Sequence, residues 1–191
     1  MEIIFYRSES NVTEEEIQVI EKKYNKSLPK EYKEFLLKHN GGFSYPNYPT
    51  LKRENNGELW VIDMFYSLGD LIVNKHNAEN EKHPKHYHWP EDLEKYNLKN
   101  ENLLSFAIGE RGWYFMNLGE ENHGQLYFCN YSGGDGIIQI ETRSFSFFIN
   151  SLGFPEWDEE GYDNSYLKNV DSYIPNKVCL LYTSPSPRDR G

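Results

Sequence analysis

The chain has 191 residues and carries 20 Lys and Arg against 30 Asp and Glu, a formal charge of −10 with a pI near 5.1. That balance argues against non-specific binding to nucleic acid or to an anionic membrane, both of which require a basic surface. Mean hydropathy is −0.79, no apolar run nears the ~20 residues of a membrane span, and the N-terminus lacks the basic start and apolar core of a signal peptide.

One domain of ordinary size fits the length, and a chain this long buries roughly 70% of its unfolded surface without disulfide staples. The two cysteines, Cys129 and Cys179, suit a reducing, cytoplasmic compartment. Aromatic residues make up 16% of the chain. They reconcile a hydrophilic average with a real core, and most of them are expected inside it.

Thr13-Glu14-Glu15-Glu16 has the capping-box form, with three acids at the positive end of the helix dipole. Ile17, Ile20 and Tyr24 then recur at helical spacing. Asn25-Lys26-Ser27 ends that helix, and Pro29 is placed to be the first residue of a second. Tyr32, Phe35, Leu36 and His39 share its inner face, and Asn40-Gly41-Gly42 stops it, glycine readily taking the left-handed conformation.

Residues 59–65 read as a strand by their β-branched and aromatic content, and a helix begins near Gly69. Residues 77–101 are polar. Three strand signals follow at 103–108, 113–116 and 125–129, and a fourth at 137–140, separated by Gly-containing turns. This is the pattern of an antiparallel meander. Phe145, Phe148, Ile149 and Leu152 close the series at helical spacing behind Ser144, a plausible cap. The predicted class is α+β, a single domain with an N-terminal helix pair, a mainly antiparallel sheet and a closing helix.

The boundaries expected are 1–153 for the domain, 154–178 for an acidic extension and 179–191 for a foreign tail. The run from Cys179 to Asp189 resembles the translation of a sequencing-library adapter and is set aside. Without Arg188, Asp189 and Arg190 the charge becomes 18 minus 29, or −11, so the exclusions above stand.

A search for chemistry yields no catalytic candidate. His76, His83, His86 and His88 lie close together, but their spacing matches no helical ligand pair and prolines interrupt them, so a solvated loop is expected. Cys129 falls inside a strand rather than at a helix N-terminus, where its pKa would be lowered, so it reads as core. Gly133-Gly134-Asp135-Gly136 has no following lysine or helix start and reads as a turn. The carboxylate pairs Glu120-Glu121 and Asp158-Glu159 are expected on a solvated face and carry no glycosidase signature. No cofactor or metal is expected.

The order Thr13 to Tyr24, Leu28-Pro29 to Leu36, Asn40-Gly41-Gly42, Phe106-Ala107-Ile108-Gly109, Trp113-Tyr114-Phe115, Gly124 to Phe128 and Ser144 to Ile149 resembles the SUKH superfamily over residues 11–153. Residues 77–101 depart from the pattern and read as an insertion. The superfamily includes bacterial toxin-immunity proteins and the fungal cell-wall assembly regulator. The resemblance implies helices packed on a central, strongly bent sheet, no catalysis, and an immunity protein that binds a cognate toxin, such as a nuclease, and occludes it. The alternative it implies is a non-catalytic regulatory or scaffold module that binds a cellular protein.

An acidic surface complements a basic toxin cleft, and aromatics near it would supply the hot spots. The residues expected to meet a partner are Trp113, Tyr114 and Tyr131 with Glu110, Asp135 and Glu141, which are expected near strand ends. Trp60 and Asp63 are second choices.

Overall fold

Helix α1 forms where the acids and the threonine place it. In the computed structural model it spans Glu14–Tyr24, and the capping box is complete: the Thr13 hydroxyl accepts from the Glu16 N–H while the Glu16 carboxylate accepts from the Thr13 N–H. The structure describes residues 3–51, 60–73, 93–130, 137–142 and 144–153. Ile17 and Ile20 are buried, and the Tyr24 hydroxyl donates to the Leu71 carbonyl at 3.1 Å. Asn25 ends the helix in the left-handed conformation.

Helix α2 runs Lys30–His39. Pro29 stands one place earlier than expected, as the N-cap rather than the first helical residue. At the far end Asn40 itself takes the left-handed cap, at φ 40°, ahead of the two glycines. Asparagine tolerates this region better than most residues. Its side chain earns the position: Nδ2 donates to the Ser10 carbonyl at 2.6 Å and Oδ1 accepts from the Leu68 N–H at 2.8 Å.

The meander is present. Strands β5 (Leu103–Gly109), β6 (Gly112–Asn117), β7 (Leu126–Asn130) and β8 (Ile137–Gln139) pair antiparallel in sequence order, and β4 (Ile62–Phe65) adds antiparallel to β5. Two small antiparallel pairs escaped sequence reading: β1 (Ile4–Tyr6) with β2 (Phe43–Tyr45), and β3 (Tyr48–Pro49) with β9 (Leu152–Gly153). Helix α3 (Leu68–Val73) follows β4. Helix α4 (Phe145–Asn150) closes the series, with the Ser144 hydroxyl accepting from the Phe147 N–H at 3.1 Å. Residues 74–92, most of the suggested insertion, lie outside the described residues, as do the four clustered histidines, the acidic extension and the tail.

Alternation along the strands divides the core. Tyr114, Met116, Leu126 and Phe128 face a cluster shared with Ile17, Ile20, Tyr32, Phe35, Leu36, Phe145 and Phe148 from the helices. Phe115, Tyr127 and Cys129 are buried in a second cluster with Leu98, Leu103 and Ile137, against which Trp113 packs. Successive side chains of a strand point to opposite faces, so one sheet serves both clusters. Cys129 is 2% exposed, the core residue expected. Among the described residues the largest fully buried side chains are mostly aromatic.

Candidate functional site

The partner-facing residues predicted from sequence divide into three groups. Trp60, Asp63, Glu110 and Trp113 are brought to one end of the sheet. The β5–β6 hairpin turns through Glu110 and Arg111 between the paired Gly109 and Gly112. Gly109 also pairs with Ile62 of β4, and the Glu110 N–H donates to the Val61 carbonyl at 3.2 Å. The hairpin tip is thereby fastened to the residues just before β4. Asp63 follows at a register shift between Ile62 and Met64 and is exposed. Trp113 is half-buried on β6, opposite Ile108 and Cys129.

Glycine is required at both ends of this turn by close approach rather than by an unusual φ. A Cβ at Gly109 would lie 2.4 Å from the Val61 carbonyl oxygen, and one at Gly112 would lie 2.0 Å from the Cys129 carbonyl oxygen. The tip is seated on backbone at both ends.

Tyr114 must be withdrawn from the surface set. It is 0% exposed, because its place in the alternation of β6 turns it to the helix-covered face, and its hydroxyl donates to the Trp60 carbonyl. It anchors the Trp60 main chain. Glu141 is exposed but stands at the opposite end of the sheet. It follows Ile140, whose N–H donates to Leu126, and Leu126 pairs with Met116, far along β6 from the Glu110 turn. Tyr131 and Asp135 lie outside the described residues.

Sequence reading missed Arg111. Its guanidinium carbon lies 4.3 Å from the Trp60 ring centroid. The signal available was the four-residue run Gly109-Glu110-Arg111-Gly112, a glycine-bracketed tip that presents both of its charged residues.

Among the described residues the Asp63 carboxylate has no hydrogen-bond or ion-pair partner, and its carboxyl is pushed above the ordinary value of 3.8, first by partial burial and then by the nearby Glu110 charge. A carboxyl whose folded pKa is raised carries a stability penalty when charged. The penalty is full above the folded pKa and disappears below the unfolded one. Asp63→Asn is therefore expected to raise Tm modestly at pH 7 and to give no gain below the unfolded value of 3.8, measured by thermal melts across pH. An equal gain at every pH would mean that the carboxylate's charge is not the cause.

A groove of about 380 Å³ lies elsewhere, lined by Pro29, Glu31, His123, Gln125, Thr142 and Ser144 among others. Several of its polar side chains are engaged with the protein's own backbone. The Glu31 carboxylate accepts from the Ser146 N–H at 2.8 Å, which holds its carboxyl below the ordinary range. His123 Nε2 lies 2.9 Å from the Ser27 carbonyl, and Gln125 Nε2 donates to the Ile140 carbonyl at 2.9 Å. These bonds tie the groove's three walls together.

Among the described residues no group of three or more His, Cys, Asp or Glu could hold a metal ion, and no helix is long and apolar enough to cross a membrane. No curated protein matches the chain significantly. A family profile matches residues 11–151, the span over which the helix pair, the meander and the closing helix were found. The chain belongs to the SMI1 / KNR4 family (SUKH-1).

Proposed function

We propose that this protein is an immunity protein that binds a cognate bacterial toxin in the cytoplasm and occludes its active surface without catalysis. The observation that carries this reading is the gathering of Trp60, Asp63 and Glu110 at one end of the sheet, with Trp113 on the other face of the same hairpin, in a SUKH-1 chain of charge −10. Aromatic residues near acidic side chains, in a chain with an excess of acids, suit a protein interface with a basic partner. The carboxylates would steer encounter, and the indole rings would supply contact area once the surfaces meet.

Co-expression with the toxin domain encoded beside its gene tests this. The full chain is expected to protect the host and to co-purify with the toxin. The double variant Asp63→Lys with Glu110→Lys is expected to slow association at least about tenfold at low salt. That difference should shrink as salt shortens the Debye length below ~10 Å. A folded protein that neither protects nor forms a complex would overturn the immunity reading and favour a regulatory module with a host partner.

A further inference from the structure

Arg111 is the odd charge at this site. Glu110 precedes it and Asp63 lies across the same turn, near enough for the Glu110 charge to reach it. Yet among the described residues the Arg111 guanidinium forms no ion pair. It lies instead over the Trp60 ring, 4.3 Å from the centroid. The Trp60 main chain is anchored from behind, since its carbonyl accepts from the fully buried Tyr114 hydroxyl. The indole N–H is buried with no acceptor among the described residues, a defect that native structures keep only rarely. An indole face at the same sheet end as two acidic side chains is a recognition element for a planar cation. In the free protein one of the chain's own residues fills it.

We propose that the Trp60 face, with Asp63 and Glu110 at the same end of the sheet, is the seat for an arginine side chain of a basic protein partner, and that Arg111 occupies this seat until the partner's arginine displaces it. This rests on the reading that the chain binds a basic protein. Three features select the occupant. The aromatic face matches a guanidinium, which stacks, better than an ammonium, which is compact and strongly hydrated. The two carboxylates exclude an anionic group. The resident guanidinium shows that the seat accepts that group at contact distance. Displacement also frees Arg111, whose donors can then meet a carboxylate on the partner, so the exchange need not lose a cation–aromatic contact.

The test uses the full-length protein and an acetylated hexa-arginine peptide, with binding measured by calorimetry and by the indole N–H resonance of Trp60. Arg111→Ala is expected to bind the peptide about fivefold more tightly than the wild type. Lys22→Ala makes the same charge change on α1, at an exposed residue, and is expected to change binding less than about twofold. Arg111→Lys keeps the charge and should fall between wild type and Arg111→Ala. Adding Trp60→Leu to Arg111→Ala should abolish the gain. A hexa-lysine peptide should show a smaller gain than hexa-arginine.

Equal gains from Arg111→Ala and Lys22→Ala, or a gain that survives Trp60→Leu, would overturn the proposal. Either result leaves toxin binding at other residues intact. Conversely, a peptide gain with no toxin complex would sustain the seat and remove the immunity reading.

Discussion

Phe106→Ala is expected to lower stability by about 3–5 kcal/mol. Phe106 is 0% exposed. It sits at the register shift of β5, where Ser105 pairs with Phe115 and Ala107 with Tyr114. Phe106 is the extra residue, and the bulge turns it into the helix-facing cluster beside Ala107. Its ring meets five others with centroids 5.4 to 6.4 Å away: Tyr32, Phe65, Tyr114, Phe145 and Phe148. These come from α2, β4, β6 and α4, so the surroundings cannot close over the void without moving four elements. Cavity cost rises when a site cannot collapse. Urea unfolding checks this: the midpoint should fall with the m-value unchanged. Val19→Ala, at a site 57% exposed, should stay within about 0.5 kcal/mol of wild type. A Phe106→Ala loss below about 1 kcal/mol would show that the cluster repacks, against the high density expected of protein interiors.

Phe106 also shows what the sequence could and could not reveal. The apolar run 103–108 announces a strand, but a bulge leaves no period in the residues, so which side Phe106 takes is decided by pairing with β6. The same holds for Tyr114. Read along the chain it stands beside Trp113 as one of two surface aromatics, and the pleat sends the two to opposite faces. The local signals were strong where one residue sets its own backbone: the Thr13 and Ser144 caps, and the stop at Asn40. The strands β1, β2, β3 and β9 are two or three residues long. They exist through partners up to about a hundred positions away in the chain, as when Pro49 meets Leu152, and no short window carries that information. The site divides in the same way. Glu110 was legible as a turn residue, whereas Arg111 mattered only once β4 brought Trp60 beneath it.

Gly112→Ala is expected to cost about 3 kcal/mol or more and to disturb the site with it. The added Cβ would stand 2.0 Å from the Cys129 carbonyl oxygen and 2.8 Å from its carbon. Both are backbone atoms of the neighbouring strand β7, so no side-chain rotation gives relief. The Phe128 ring, 2.7 Å away, closes another direction. The hairpin end must lift from β7, and Glu110 and Arg111 ride on that end. The variant should therefore melt earlier and also separate the Arg111 guanidinium from Trp60, seen as a shifted Trp60 indole resonance in the folded fraction. Gly124→Ala is the control. Its φ of +84° strains any side chain, but the Cβ would meet only the Pro29 ring, at 3.3 and 3.6 Å. A loss of about 1–2 kcal/mol is expected there, with the Trp60 resonance unmoved. If Gly112→Ala matched Gly124→Ala in stability and left Trp60 unshifted, the close seating of the hairpin on β7 would not be what holds Glu110 and Arg111 in place.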